Sequence, residues 1–118
     1  MTVNVLGTDY QILTKKYDED EQLKKNSWSG YCSEIMKEIV VCEMKTFPGY
    51  QDASEEEIKR VQKDILRHEI VHAFFNESGL SYSSLQYSGG WAKNEEMVDW
   101  FAIQGEKIYK AWESVNAL

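Results

Sequence analysis

Both histidines of this chain fall within five residues, His68-Glu69-Ile70-Val71-His72. On a helix, side chains at i and i+4 point the same way one turn apart, so the two imidazoles can grip one Zn²⁺ from a single element. The glutamate that follows the first histidine then sits beside the metal, where it can take a proton from a bound water. The pattern H-E-x-x-H therefore carries a mechanism as well as a ligand set.

Two histidines leave a catalytic zinc site one protein ligand short, with the fourth position kept for water. No histidine remains and neither cysteine is suitably placed, so the third ligand must be a carboxylate from a second element. The candidate stretch is Asn94-Glu95-Glu96-Met97-Val98-Asp99. An apolar stripe of Val98, Phe101, Ala102, Ile108 and Trp112 sets the phase of this helix. By that phase Glu95 projects inward and Glu96 falls in a row with Trp100, Ile103 and Lys107, nearer solvent. A carboxylate on an apolar face is costly unless paired or metal-bound, which favours Glu95 as ligand. Asp99, one turn on, can accept the second ring N–H of a ligating histidine and so fix its tautomer.

These elements need a scaffold. Val3–Leu6 and Tyr10–Lys16, joined by a Gly7-Thr8-Asp9 turn, read as a hairpin. Residues 17–27 are charged and poor in apolar anchors, the composition of a solvated loop or short helical excursion. Ser29–Ile35 and Glu38–Met44 form a second hairpin around Met36-Lys37, its second arm rich in β-branched residues. Thr46-Phe47-Pro48-Gly49-Tyr50 is turn chemistry. Ser54 then opens a capping box with Glu55-Glu56-Glu57, and a helix is expected from about 55 to 76. Val61, Ile65, His68 and His72 share its inward spacing, and Gly79 supplies the stop. A Ser/Gly/Tyr segment over 78–92 leads to a last helix near 94–115. The expected fold is α+β, a single domain over 1–118. It is a small, mostly antiparallel sheet packed on the long helix, with the C-terminal helix completing the core.

With 118 residues, ample aromatics and a formal charge of −7, one real core is affordable and a phosphate backbone would be repelled. No nucleic-acid partner is expected. No apolar run reaches a membrane span and the N-terminus lacks a basic and an apolar region, so a cytoplasmic protein without membrane contact is expected. Cys32 and Cys42 then read as free thiols.

His68-Glu69-Ile70-Val71-His72 followed by Asn94-Glu95-x-x-x-Asp99 resembles the gluzincin pattern, best known from thermolysin-like peptidases. So short a chain is similar to the minimal gluzincin-like metallopeptidases of phages and prophages. The resemblance is dense from Glu38 to Ala102. It implies that His68, His72 and Glu95 bind zinc, Glu69 is the general base and Asp99 orients a histidine, in an enzyme hydrolysing peptide bonds of a protein or peptide. It also implies a substrate held as an added strand on a sheet edge, with Glu38–Met44 the candidate edge. The larger enzymes use a downstream His or Tyr against the tetrahedral intermediate. Here no third histidine exists, and Tyr82, Tyr87 or Tyr109 would have to serve. Two other functions fit the residues: a non-catalytic zinc-binding module (a pseudo-peptidase) acting through protein–protein contact, and an interaction protein without metal.

Overall fold

The computed structural model describes residues 1–83 and 94–114. In chain order it contains β1 (Thr2–Val5), β2 (Thr8–Lys15), a 3₁₀ turn (Tyr17–Glu19), α1 (Glu21–Asn26), β3 (Gly30–Ser33), β4 (Glu38–Cys42), a second 3₁₀ turn (Met44–Thr46), α2 (Glu55–Glu77), α3 (Leu80–Ser83) and α4 (Glu95–Ser114). It is a small α+β fold: a four-stranded sheet, one long helix and a C-terminal helix.

The sheet is mixed, in the order β1-β2-β4-β3. β1–β2 and β3–β4 are antiparallel hairpins, but β2 and β4 run parallel, with Gln11 opposite Glu38 and Lys15 opposite Cys42. This corrects the expectation of an edge strand over Glu38–Met44. β4 is central, and β3 takes the outer position. The reason lies in its composition. Ile39, Val40, Val41 and Cys42 are all buried, so the strand needs cover on both faces, which an edge does not give. Ile39 and Val41 pack with Tyr10 and Val5 against Ile65, Ile70 and Ala73 of α2. Val40 and Cys42 pack in a second cluster with Leu23 of α1, Met44, and Ile58, Val61 and Ile65 of the N-terminal half of α2.

Residues 17–27 are likewise more ordered than their charge suggests. Asp20 caps α1 by accepting from the amides of Gln22 and Leu23, and its second oxygen takes the Tyr31 hydroxyl at 2.9 Å and Lys15 at 3.1 Å. Leu23 is wholly buried. One leucine and one capped aspartate suffice to seat the helix on the sheet. The first hairpin also turns one residue earlier than expected, through Leu6 (φ 51°) and Gly7 (φ 93°). Two positive φ values match the twist of paired strands.

Ser54 accepts the Glu57 amide at 3.1 Å and opens α2, while Gly79 (φ 84°) follows its end. α4 lies on α2 through Phe75, Val71, Val98 and Met97. Phe101, placed in the apolar stripe, is partly exposed, and the side chains of Ile108 and Trp112 lie outside the described residues. Among the described residues no helix is long and apolar enough to cross a membrane.

Candidate metal centre

α2 carries two rows that do different work. Ile65, Glu69 and Ala73 face the sheet, and Ala73 and Glu69 are buried there. His68 and His72, one position round, face α4 together with Val71 and Phe75. The histidines therefore do not share the sheet-facing row of Ile65, as the 3–4 spacing suggested. Glu69 takes that place.

The imidazoles lie one turn apart with ring centroids 4.8 Å from each other. Their Nε2 atoms approach to 3.0 Å. Glu95, the first residue of α4, reaches both: one carboxylate oxygen is 3.2 Å from His68 Nε2, the other 3.3 Å from His72 Nε2. Asn94 sets the start of that helix, its side-chain oxygen accepting the Met97 amide at 3.1 Å. Glu96 is exposed and has no such contact among the described residues. The inward phase assigned to Glu95 needs correcting, since its side chain is 66% exposed. It reaches the histidines at the open mouth of the α2–α4 interface.

Asp99 receives His68 Nδ1 at 2.5 Å. With that nitrogen donating its proton, Nε2 of His68 carries a lone pair directed at His72 and Glu95. Two imidazole nitrogens and a carboxylate facing one point at about hydrogen-bond spacing are short of positive charge. A tetrahedral cation with bonds of about 2.0–2.1 Å would hold its ligand atoms roughly 3.3 Å apart, close to the separations observed. The donor set thus fits a metal ion. A ligand oxygen of Glu69 also lies with the two histidine nitrogens inside a 4.8 Å cluster, but Glu95 is nearer to both and is the better third donor.

Glu69 is 6% exposed, and no hydrogen bond to its carboxylate is found among the described residues. Loss of water pushes its pKa from 4.5 up to about 8, helped by the negative charges of Glu95 and Asp99. Its stem lies against β3. A Cβ placed on Gly30 would stand 2.6 Å from Ile65 Cγ2, 2.9 Å from the Val40 carbonyl oxygen and 3.4 Å from Glu69 Cγ. Only a glycine lets the edge strand come this close. Nothing in the sequence links Gly30 to Glu69; the contact exists only once β3 takes the sheet edge beside α2.

The tyrosines considered for the transition state are placed elsewhere. Tyr82, on α3, hydrogen-bonds Glu34, whose charge raises its pKa. Tyr109 lies in the apolar groove between α2 and α4 beside Phe74 and Phe101. Tyr87 lies outside the described residues. Cys32 and Cys42 are free, and burial, with the nearby Glu69 charge, pushes the Cys32 thiol up to about 12. No protein-family profile, curated protein or solved structure matches the chain.

Proposed function

We propose that this chain is a gluzincin-like, zinc-dependent peptidase. The observation that carries the reading is the convergence of His68 Nε2, His72 Nε2 and the Glu95 carboxylate within 3.0–3.3 Å, beside the buried Glu69. His68, His72 and Glu95 would hold the ion, with Asp99 keeping His68 in the ligating tautomer. Zinc there supplies Lewis acidity to a water and to a peptide carbonyl.

Glu69 is the general base. Among the described residues no hydrogen-bond donor competes for its carboxylate, and the positive charge of a bound ion would keep it ionised, so it takes the proton of the attacking water on a carboxylate oxygen. It then returns that proton to the departing amine nitrogen. Gly30 brings the edge strand against this group. Cys42 N–H donates to Ser29 O at 2.8 Å, so with the β3–β4 register the main-chain groups of Tyr31 and Ser33 also face β4. Those of Gly30 and Cys32 face outward. β3 thus offers an extended protein or peptide substrate a main-chain ladder next to the base.

Metal analysis of the purified protein, with peptide hydrolysis followed on wild type, Glu69→Gln and His72→Ala, tests the reading. The expected result is zinc in wild type and Glu69→Gln but not in His72→Ala. Turnover should fall roughly 10²–10⁴-fold in Glu69→Gln. Zinc with undiminished hydrolysis in Glu69→Gln overturns the mechanism. Zinc without hydrolysis in any form, on a panel of unfolded protein substrates, leaves the non-catalytic module.

A further inference from the structure

The metal centre is split between two helices, and α4 brings both of its carboxylates. What fixes α4 along its own axis decides whether the centre exists. The apolar contacts of Val98 and Met97 with Phe75 and Val71 are non-directional, and they would tolerate small axial shifts. A ligand set does not, since it must hold to about 0.5 Å.

Among the described residues, polar ties of three kinds cross the interface. His72 and His68 meet Glu95, His68 meets Asp99, and Arg67 Nε donates to the main-chain carbonyl of Ala102 at 3.1 Å. Residue numbers rise on α2 as they fall on α4, so the helices run antiparallel and the ties form a ladder. Of these rungs, Arg67–Ala102 lies outside the site. Mid-helix carbonyls have a second lone pair that can accept without breaking the helix. Gripping one particular carbonyl fixes rotation and axial position together. Asp99 and Glu95 lie three and seven residues before Ala102, roughly 4.5 and 10.5 Å along the axis, on the same side of α4. On α2 the arginine is next to His68. Its guanidinium is anchored from behind by an ion pair with Asp64 on its own helix, which limits its rotamers. Ala102 is small and buried, so the two helices can approach closely at this rung.

We infer that Arg67 is a positioning residue of the metal centre, setting the register of α4 so that Glu95 and Asp99 meet the histidines. This rests on the reading of His68, His72 and Glu95 as zinc ligands. Arg67 itself touches neither metal nor substrate.

The test uses the full chain and zinc alone. Zinc affinity is measured by competition with a chromophoric chelator for wild type, Arg67→Met, Arg67→Lys and Leu23→Ala. Met keeps the apolar stem and Lys keeps the charge, but neither has Nε. Leu23→Ala weakens the cluster around α1, away from α4, as a stability control. The expected result is a loss of zinc affinity of about 10-fold or more in both Arg67 variants, with none in Leu23→Ala at a comparable loss of melting temperature. In the metal-free protein, the proton shared by His68 Nδ1 and Asp99 should exchange faster with solvent in the Arg67 variants, read by NMR. Wild-type affinity in either folded Arg67 variant overturns the inference and leaves the metal reading intact. An equal loss in Leu23→Ala also overturns it, because the effect is then general softening. A wild type that binds no zinc overturns the metal reading, and the inference with it.

Discussion

A carboxylate largely kept from water is a liability in a metal-free protein, and Glu69, 6% exposed, is such a group. Its folded-state pKa of about 8 lies above the ordinary 4.5. Stability from the protonated form is therefore fully present below pH 4.5 and is lost as pH rises towards 8. With chelator present, thermal melts of wild type should fall over that window. Glu69→Gln should fall less and exceed wild type at pH 8. Parallel curves for the two would mean that Glu69 is solvated. Gly30 is the second residue whose type is dictated by space. Its missing Cβ would strike the Val40 carbonyl, which as main chain cannot swing aside. Gly30→Ala should cost about 1–3 kcal/mol in urea unfolding, and an unchanged midpoint would place β3 farther from α2.

At the level of elements, short stretches are held by few contacts, and their termini carry much of the energy. α1 depends on the Asp20 cap and Leu23. The β1–β2 turn contains a mismatch: Leu6 is exposed and sits at φ 51°, where a Cβ crowds the following carbonyl. Asparagine tolerates this conformation, and the neighbouring Asn4 side chain already accepts the Gly7 amide at 3.1 Å. Leu6→Asn should stabilise the protein by about 1 kcal/mol, seen as a higher urea midpoint at constant slope. A lower midpoint would show Leu6 to be packed against something that the turn geometry does not reveal.

Across the whole molecule, the far end of α2 is tied to two hairpins through one side chain. Glu77 accepts from Lys37 at 2.5 Å, Tyr10 at 2.7 Å and Thr8 at 2.9 Å. Those donors hold its pKa near 2. This contribution is present above the ordinary 4.5 and lost as pH falls towards 2, the opposite sign to Glu69. Wild type should lose more stability than Glu77→Gln between pH 5 and 2; identical acid limbs would show the three donors to be satisfied elsewhere. Metal binding would act on the same scale, because an ion gripped by α2 and α4 would stabilise only the folded chain. Zinc at a hundredfold excess over its dissociation constant should add about 2.7 kcal/mol. That gain should vanish with chelator and in His72→Ala.

What the chain determined by itself is local. The i, i+4 histidines, the Ser54 cap with its acidic first turn, the Gly79 stop and the apolar alternation of the strands are short-range rules, and they locate α2, α4 and the four strands to within a residue or two. The spacing of Glu95 and Asp99 on one helix face is legible for the same reason. Strand order is not local. The unbroken run Ile39-Val40-Val41-Cys42 carried the signal for a central strand covered on both faces, but only the β2–β4 parallel pairing turns it into a position and makes β3 the edge. The contact of Gly30 with Glu69, the Glu77 ties, and the Arg67 grip on the Ala102 carbonyl join segments distant in sequence. Tertiary packing alone decides them, because each needs the spacing between elements set to within a few tenths of an ångström, and the separate sequences of those elements do not encode it.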